Sequence, residues 1–380
     1  MNTIETGKYI VHLIISLLSD HKPMEKPDTV TFEDIYHMSV KHNVSVMALI
    51  AIDRLTVKPD DALYKQWDQH RSASIAQGII QLAERDQLYK KLEEKQIQYL
   101  PLKGCLLKEM YPKPEFREMS DLDILIRPQS QEEVKELMES SGYITENFGI
   151  KKDDSYRKPP FMHVEMHHML LEDVIISQMN ITDSFLLDPF SHAHQINDSG
   201  RFELSPEDMY IYLMVHNAKH YIRKGTGIRQ FIDFIVYEQT VDIDHDYVDK
   251  RLDEIGLGWF KRNSDQLLEC WVNGTDIPSE LDEMQNTVFS SGSYGSAESK
   301  VRINMNNASG NKVSSAGYLR YRFFPPYRIM KASYPVLRKK PWLLPAVWIY
   351  RISFKGVPRV KRHLKELRLF KSIQKYSDQE

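Results

Sequence analysis

The run Asp121-Leu122-Asp123-Ile124-Leu125-Ile126 constrains the fold of this chain more than any other stretch. Apolar residues dominate it and Pro128 closes it, which predicts a short strand that cannot extend its ladder further. Side chains alternate across a strand, so Asp121 and Asp123 project from one face while Leu122, Ile124 and Ile126 enter the core behind them. Two carboxylates facing one way repel each other unless a cation lies between them. Magnesium, a hard ion that favours oxygen ligands and substrate phosphates, is the cofactor this predicts, with manganese as its substitute. The plainer alternative for so short a pattern is a pair of solvent-facing acids on an amphipathic strand.

The segments around this run supply further parts. Ile79–Gln98 places Ile79, Leu82, Leu88 and Leu92 at near-helical spacing. Tyr99–Leu102 reads as extended and ends at Lys103-Gly104, where glycine suits a tight strand-to-helix turn and backbone amides can approach a phosphate. Cys105–Met110 then reads as helical and stops before Tyr111-Pro112-Lys113-Pro114. Gln131–Ser141 is a predicted helix closed by Gly142. Phe161–Leu171 is a second strand candidate, with His163, Glu165 and His167 alternating against Val164, Met166 and His168. Such mixing of strand and helix predicts a small α/β or α+β unit.

From Ser205 the pattern turns helical. Ser205-Pro206-Glu207-Asp208 combines an N-cap hydroxyl, a first-turn proline and acids facing the positive helix end. Two apolar-periodic segments follow over 208–239, parted by Gly225 and Gly227. His216 and His220, four apart, share one helix face, and Asp233 lies on the next segment. Residues 286–317 are rich in Ser, Gly and Asn and read as a mobile loop. Within it, Phe289–Ser296 lacks the GxxxxGK[ST] pattern of a phosphate loop. The expected organisation is an N-terminal helical region (1–95), a strand-and-helix core (96–200), a helical domain (201–285), the loop (286–317) and a C-terminal helical region (318–380).

Composition bounds the setting. Two cysteines, Cys105 and Cys270, make neither a disulfide framework nor a CxxC pair, so a reducing, cytoplasmic compartment fits. No apolar run reaches the roughly 18–20 residues of a membrane span. Tyr9–Leu18 is too short and follows Glu5 and Lys8, so it reads as a buried helix. Net charge is only −3, yet Leu319–Lys375 holds sixteen Lys and Arg against Glu366 alone, leaving the rest of the chain acidic. Tyr321, Phe323, Phe324, Tyr327, Tyr334, Trp342, Trp348 and Tyr350 interleave with those cations. That pattern suits nucleic acid, an anionic membrane surface, or a helical cap packed on the acidic body.

Taken together these motifs resemble the uncharacterised nucleotidyltransferase family of bacteria, within the DNA-polymerase-β-like superfamily. Leu102-Lys103-Gly104, Tyr111-Pro112, Arg117 and the strand at 121–126 carry the resemblance, continued by Val164-Glu165-Met166-His167 and by Leu204–Asp208 with His216, His220 and Asp233. The resemblance implies an α+β fold, with a small mixed sheet and helices at its centre and helical regions on either side. It implies transfer of a nucleoside monophosphate from an NTP, ATP included, to an acceptor hydroxyl with release of pyrophosphate. Asp121, Asp123 and Glu165 would be catalytic and bind the metal. Lys103, Gly104, Cys105, Arg117, His167, His220 and Asp233 would face the nucleotide. Cys105 stands where a small hydroxyl residue is usual, and Glu165 where an aspartate is usual. The acceptor stays open among small molecule, RNA and protein. A catalytically inactive nucleotide- or RNA-binding protein working through 318–380 is the alternative, and zinc on His163, Glu165 and His167 is a third reading.

Overall fold

The structure, a computed structural model, describes residues 2–150, 152–172, 176, 183–293, 295, 324, 327, 330, 334, 336–351 and 353. Its N-terminal helices are α1 (Thr3–Leu18), α2 (Phe32–Lys41), α3 (Ser45–Ile52) and α4 (Asp61–Glu94). In α1 the apolar residues Ile10, Leu13, Ile14 and Leu17 recur at helical spacing and are all buried, so the run at 9–18 is a core helix. Helix α4 is 34 residues long, capped by Asp60 Oδ1 accepting from Leu63 N at 2.9 Å, and so spans about 51 Å. Trp67 near its start donates to Ser45 O at 3.0 Å within one apolar cluster, while Leu88 and Leu92 near its end join another. One helix thus ties the N-terminal helices to the sheet.

The sheet contains β1 (Tyr99–Pro101), β2 (Leu122–Ile126), β3 (Ile144–Asn147), β4 (Asp153–Lys158) and β5 (Met162–His167), with α5 (Gly104–Met110) between β1 and β2 and α6 (Gln131–Ser140) after β2. Strand order is β1-β2-β5-β4-β3, parallel only between β2 and β5. The period of two assigns each face. Leu122, Ile124, Ile126, Val164 and Met166 pack with Val134, Leu137 and Met138 of α6 on one side. Asp123, Leu125, Glu165 and His167 occupy the other side, where Leu125 belongs to the larger apolar cluster. The fold is α+β, a small mixed sheet set among helices.

After α7 (Ser184–Leu187) and a two-stranded ribbon of β6 (His194–Gln195) and β7 (Phe202–Glu203), Ser205 Oγ caps α8 (Pro206–Lys224) by accepting from Asp208 N at 3.1 Å. Gly225, at φ +84°, ends that helix in a conformation that side chains disfavour, and α9 (Ile228–Thr240) follows directly. Helices α10 (His245–Glu254), α11 (Gly258–Asn273) and α12 (Asp282–Ser291) complete the helical body. Helix α12 corrects the expectation of a loop from residue 286, because Met284, Val288 and Phe289 supply a buried helical face inside a polar sequence. Ser293 beyond it donates from N to Lys41 O (3.1 Å) and from Oγ to His42 O (2.6 Å). The expected loop over 296–317 and most of the basic aromatic segment lie outside the described residues. Of the latter, α13 (Val336–Lys339) and α14 (Leu344–Tyr350) are described, with Trp342 between them 72% exposed. No helix among the described residues is long and apolar enough to cross a membrane.

Candidate functional site

The site begins at the turn from β1 into α5. Lys103 is the residue before the helix and takes φ +42°, ψ −108°, a strained backbone for a residue with a side chain. A Cβ added at Gly104 would meet Arg117 Nη1 and Met119 Sδ, each at 3.1 Å, so this turn tolerates little bulk. The strained turn sends the Lys103 side chain over the polar face of the sheet. Its Nζ lies 3.0 Å from Asp123 Oδ1 and 3.3 Å from His216 Nε2. Burial alone would disfavour the Lys103 ammonium, but the Asp123 carboxylate outweighs it and holds the lysine above its ordinary value.

Asp123 sits beside Glu165 because β2 and β5 run parallel in that register. His167, two residues on, lies on the same face with Nε2 2.7 Å from Asp123 Oδ1 and 3.6 Å from Glu165 Oε2. On its other side His167 Nδ1 is 2.7 Å from Lys152 Nζ. An ammonium only donates, so Nδ1 accepts and the imidazole proton is on Nε2, pointing at Asp123. Burial pushes His167 down to about 4 despite the carboxylate beside it, keeping the ring neutral near pH 7. Burial would raise Asp123, yet Lys103 and His167 hold it below the usual carboxylate range. Glu165 is pushed up by burial and by the negative charges of Asp123, Asp121 and Asp153.

The ligand atoms of Asp123, Glu165 and His167 lie within 4.8 Å of one another, as a metal ion requires. Asp121 falls outside that trio. It precedes the strand, accepts from Ser120 Oγ at 3.0 Å, and lines the same cavity of about 480 Å³. The donor set fits a divalent cation. Adjacent carboxylates raise one another's charge cost, and with the His167 proton on Nε2 the oxygens are the free donors, which favours a hard ion. The zinc trio is not assembled: His163 Nε2 faces Glu146 at 3.6 Å, whereas His167 faces Asp123.

Two residues expected beside the nucleotide hold each other instead. Arg117 donates from Nε to Asp233 Oδ1 (2.7 Å), from Nη2 to Oδ2 (2.9 Å) and from Nη1 to Gly104 O (3.3 Å), and Tyr111 OH donates to the same Oδ1 (2.8 Å). Both members of this pair are buried, so their charges clamp α9 to the segment that links α5 to β2. They line the cavity, but Arg117 is not a free cation awaiting a phosphate. Cys105 is likewise turned inward, its Sγ donating to Leu102 O at 3.0 Å. Gly104 and His220 line the cavity as well, with His220 Nε2 3.1 Å from His216 Nε2. Lys152 and Lys219, which also line it, escaped the sequence reading. Lys219 was findable, since it lies three residues after His216 on the same helical face; Lys152, in the link before β4, carries no local signal.

The polar face of the mixed sheet and the strained strand-to-helix turn thus line one cavity that holds carboxylates, lysines and neutral imidazoles together. The chain belongs to the uncharacterised nucleotidyltransferase family, whose pattern it matches over residues 28–273. That span takes in α2 to α4 as well as the sheet and α8 to α11, and leaves α1 outside. No curated protein matches the chain. Among solved structures, an antigenic nucleotidyltransferase-like protein from Paracoccidioides brasiliensis is similar over 55% of this chain and 96% of its own, at 14% identity and a TM-score of 0.33.

Proposed function

We propose that the protein transfers a nucleoside monophosphate from an NTP to an acceptor hydroxyl and releases pyrophosphate, using magnesium or manganese held by Asp123, Glu165 and Asp121. The observation that carries this reading is the register of β2 on β5, which sets Asp123 against Glu165 in a cavity also lined by Lys103, Lys152 and Lys219. When bound, such an ion neutralises phosphate charge, acidifies the acceptor hydroxyl and stabilises the leaving oxygen. The protein supplies the rest. His167 orients Asp123 through its Nε2 proton, and Lys152 fixes that tautomer by donating to Nδ1. Lys103 donates to the same Oδ1 of Asp123 and compensates its charge before substrate arrives. Glu165, beside Asp123 on the adjoining strand, would either complete the ion's shell or accept the acceptor's proton. The free thiols of Cys105 and Cys270 suit a reducing, cytoplasmic setting for this reaction.

The test is pyrophosphate release from each of the four NTPs with Mg²⁺ or Mn²⁺, followed by transfer of labelled nucleotide to small-molecule, RNA and protein acceptors. Metal-dependent release that vanishes in Asp123→Asn supports the reading. Salt-sensitive RNA binding that survives that substitution, without any pyrophosphate release, favours an inactive binding protein instead.

A further inference from the structure

Of the four lysines that line the cavity, Lys103 and Lys152 have anionic or lone-pair partners. Lys103 pairs with Asp123 at 3.0 Å, and Lys152 meets His167 Nδ1 at 2.7 Å and Asp153 Oδ1 at 3.3 Å. Lys219 differs. It is only 7% exposed, lines the cavity from α8, and makes no hydrogen bond or ion pair among the described residues. Glu172, the acid that acts on it, is itself ion-paired with Arg223 at 3.8 Å. A buried ammonium left without a counter-ion is costly, and chains retain such groups where a ligand supplies the charge.

The neighbours of Lys219 agree with an anion at this place. His216 and His220, on the same face of α8, are both held neutral by burial and nearby lysines, His216 well below its ordinary value and His220 at about 2. With Lys103 donating to His216 Nε2 at 3.3 Å and His220 Nε2 lying 3.1 Å from that atom, the two neutral imidazoles pair with each other and add no charge to the repulsion among the lysines. Lys224 lines the same wall one turn further along. From α8, then, the cavity receives lysines and neutral imidazoles; from β2 and β5 it receives carboxylates.

We infer that Lys219 is a phosphate-binding residue, which holds the two phosphates of the nucleotide that leave as pyrophosphate. The identity of the anion rests on the nucleotidyl-transfer reading above; the need for an anion does not. Burial, with added repulsion from Lys103 and Lys152, pushes Lys219 down to about 7. Arrival of a polyphosphate therefore draws a proton onto it. Facing it are Lys103 from the turn before α5, Lys152 from the link before β4, Glu172 after β5, and Arg223, His216 and His220 on its own helix.

The experiment is calorimetric titration of inorganic pyrophosphate with Mg²⁺ into the full-length protein at pH 7.5, in two buffers of different ionisation enthalpy. Wild type is expected to bind and to take up a proton. Lys219→Met should weaken binding by about tenfold or more and abolish the buffer dependence, while Lys219→Arg should stay within about threefold, as for a charge-assisted hydrogen bond. Removing an uncompensated charge should leave the ligand-free Lys219→Met protein at least as resistant to heat as wild type. Lys219→Gln provides a second neutral variant should Met pack badly. Pyrophosphate binding unchanged in both neutral variants, or none by wild type at millimolar concentration, overturns the inference. Nucleotide transfer measured on the same samples separates the two readings. Transfer by wild type with Lys219-independent pyrophosphate binding removes only this inference. Lys219-dependent binding without transfer to any acceptor removes the enzymatic reading and leaves the phosphate site standing.

Discussion

Replacing Asp233 by leucine tests whether the Arg117–Asp233 pair is a clamp or a substrate contact. The carboxylate accepts three hydrogen bonds, two from Arg117 at 2.7 and 2.9 Å and one from Tyr111 OH at 2.8 Å. Without it, a buried guanidinium keeps only Gly104 O at 3.3 Å, and a buried phenol loses its acceptor. Breaking a buried pair from one side costs about 3–5 kcal/mol, so Asp233→Leu should lose about 4 kcal/mol of stability. Arg117→Met should lose about as much by stranding the carboxylate. The double variant removes both charges, and its loss should fall below the sum by a coupling of about 3 kcal/mol. The assay is urea unfolding of the four proteins, followed by circular dichroism and tryptophan fluorescence. Acid adds a second signature. Burial would raise Asp233, but Arg117 holds it below its ordinary 3.8, so the pair's contribution is present above that value and is lost as pH falls toward the folded one. The variant should therefore lose less stability than wild type below about pH 4. Additive losses in the double variant, or an Asp233→Leu protein as stable as wild type, would refute the clamp.

Asp121→Asn combined with Asp123→Asn should abolish metal-dependent pyrophosphate release while the circular dichroism spectrum persists; unchanged turnover would sink the carboxylate assignment. His42, buried with Nδ1 accepting from Ile228 N and Nε2 facing Phe289 O, each at 3.0 Å, is held at about 3 by burial. Its unfolded form takes up a proton first as pH falls below 6.5, so its contribution is present above that and is lost toward pH 3. His42→Gln should flatten the stability profile between pH 6 and 4 by roughly 1.4 kcal/mol per pH unit, read from urea midpoints at each pH. A Cβ at Gly227 would lie 2.7 Å from Gly292 C and Ser293 N and 2.8 Å from His42 Nδ1. Backbone cannot retreat as a side-chain tip can, so Gly227→Ala should cost about 1–3 kcal/mol; a neutral melting temperature would contradict that packing.

Local chemistry made much of the fold legible. Ser205-Pro206-Glu207-Asp208 announces α8, Gly225 its end, and the spacing of Ile10, Leu13, Ile14 and Leu17 a buried helix. The hairpin of β3 and β4 was not legible, because Asp153, Asp154 and Ser155 are buried in β4 with side chains that propensity assigns to turns. Helix α12 was hidden for a similar reason, its polar residues outnumbering the buried Met284, Val288 and Phe289. Charges were the hardest to place. A sequence marks Arg117 and Asp233 as ionisable, but nothing local tells that 116 positions of separation close to 2.7 Å.

The carboxylate site shows where period-two reasoning stops. Alternation puts Asp123 on one face of β2 and Glu165 on one face of β5, and both assignments hold for any pairing that slips by two residues. Such a slip would move Glu165 by about 6.6 Å along the strand and set His163 or His167 opposite Asp123, with every apolar side chain still in the core. Hydrophobic burial is therefore indifferent between a carboxylate pair and a carboxylate–imidazole pair. What distinguishes the observed register is polar. It lets His167 Nε2 reach Asp123 Oδ1 at 2.7 Å while Nδ1 meets Lys152, and lets Lys103 donate to that same oxygen at 3.0 Å. A slipped register leaves at least one of these buried groups without its partner, at a cost of about 1–3 kcal/mol each. The groups that set the proposed chemistry are thus the ones that select the strand pairing, and a His167→Leu protein should lose both register specificity and the orientation of Asp123.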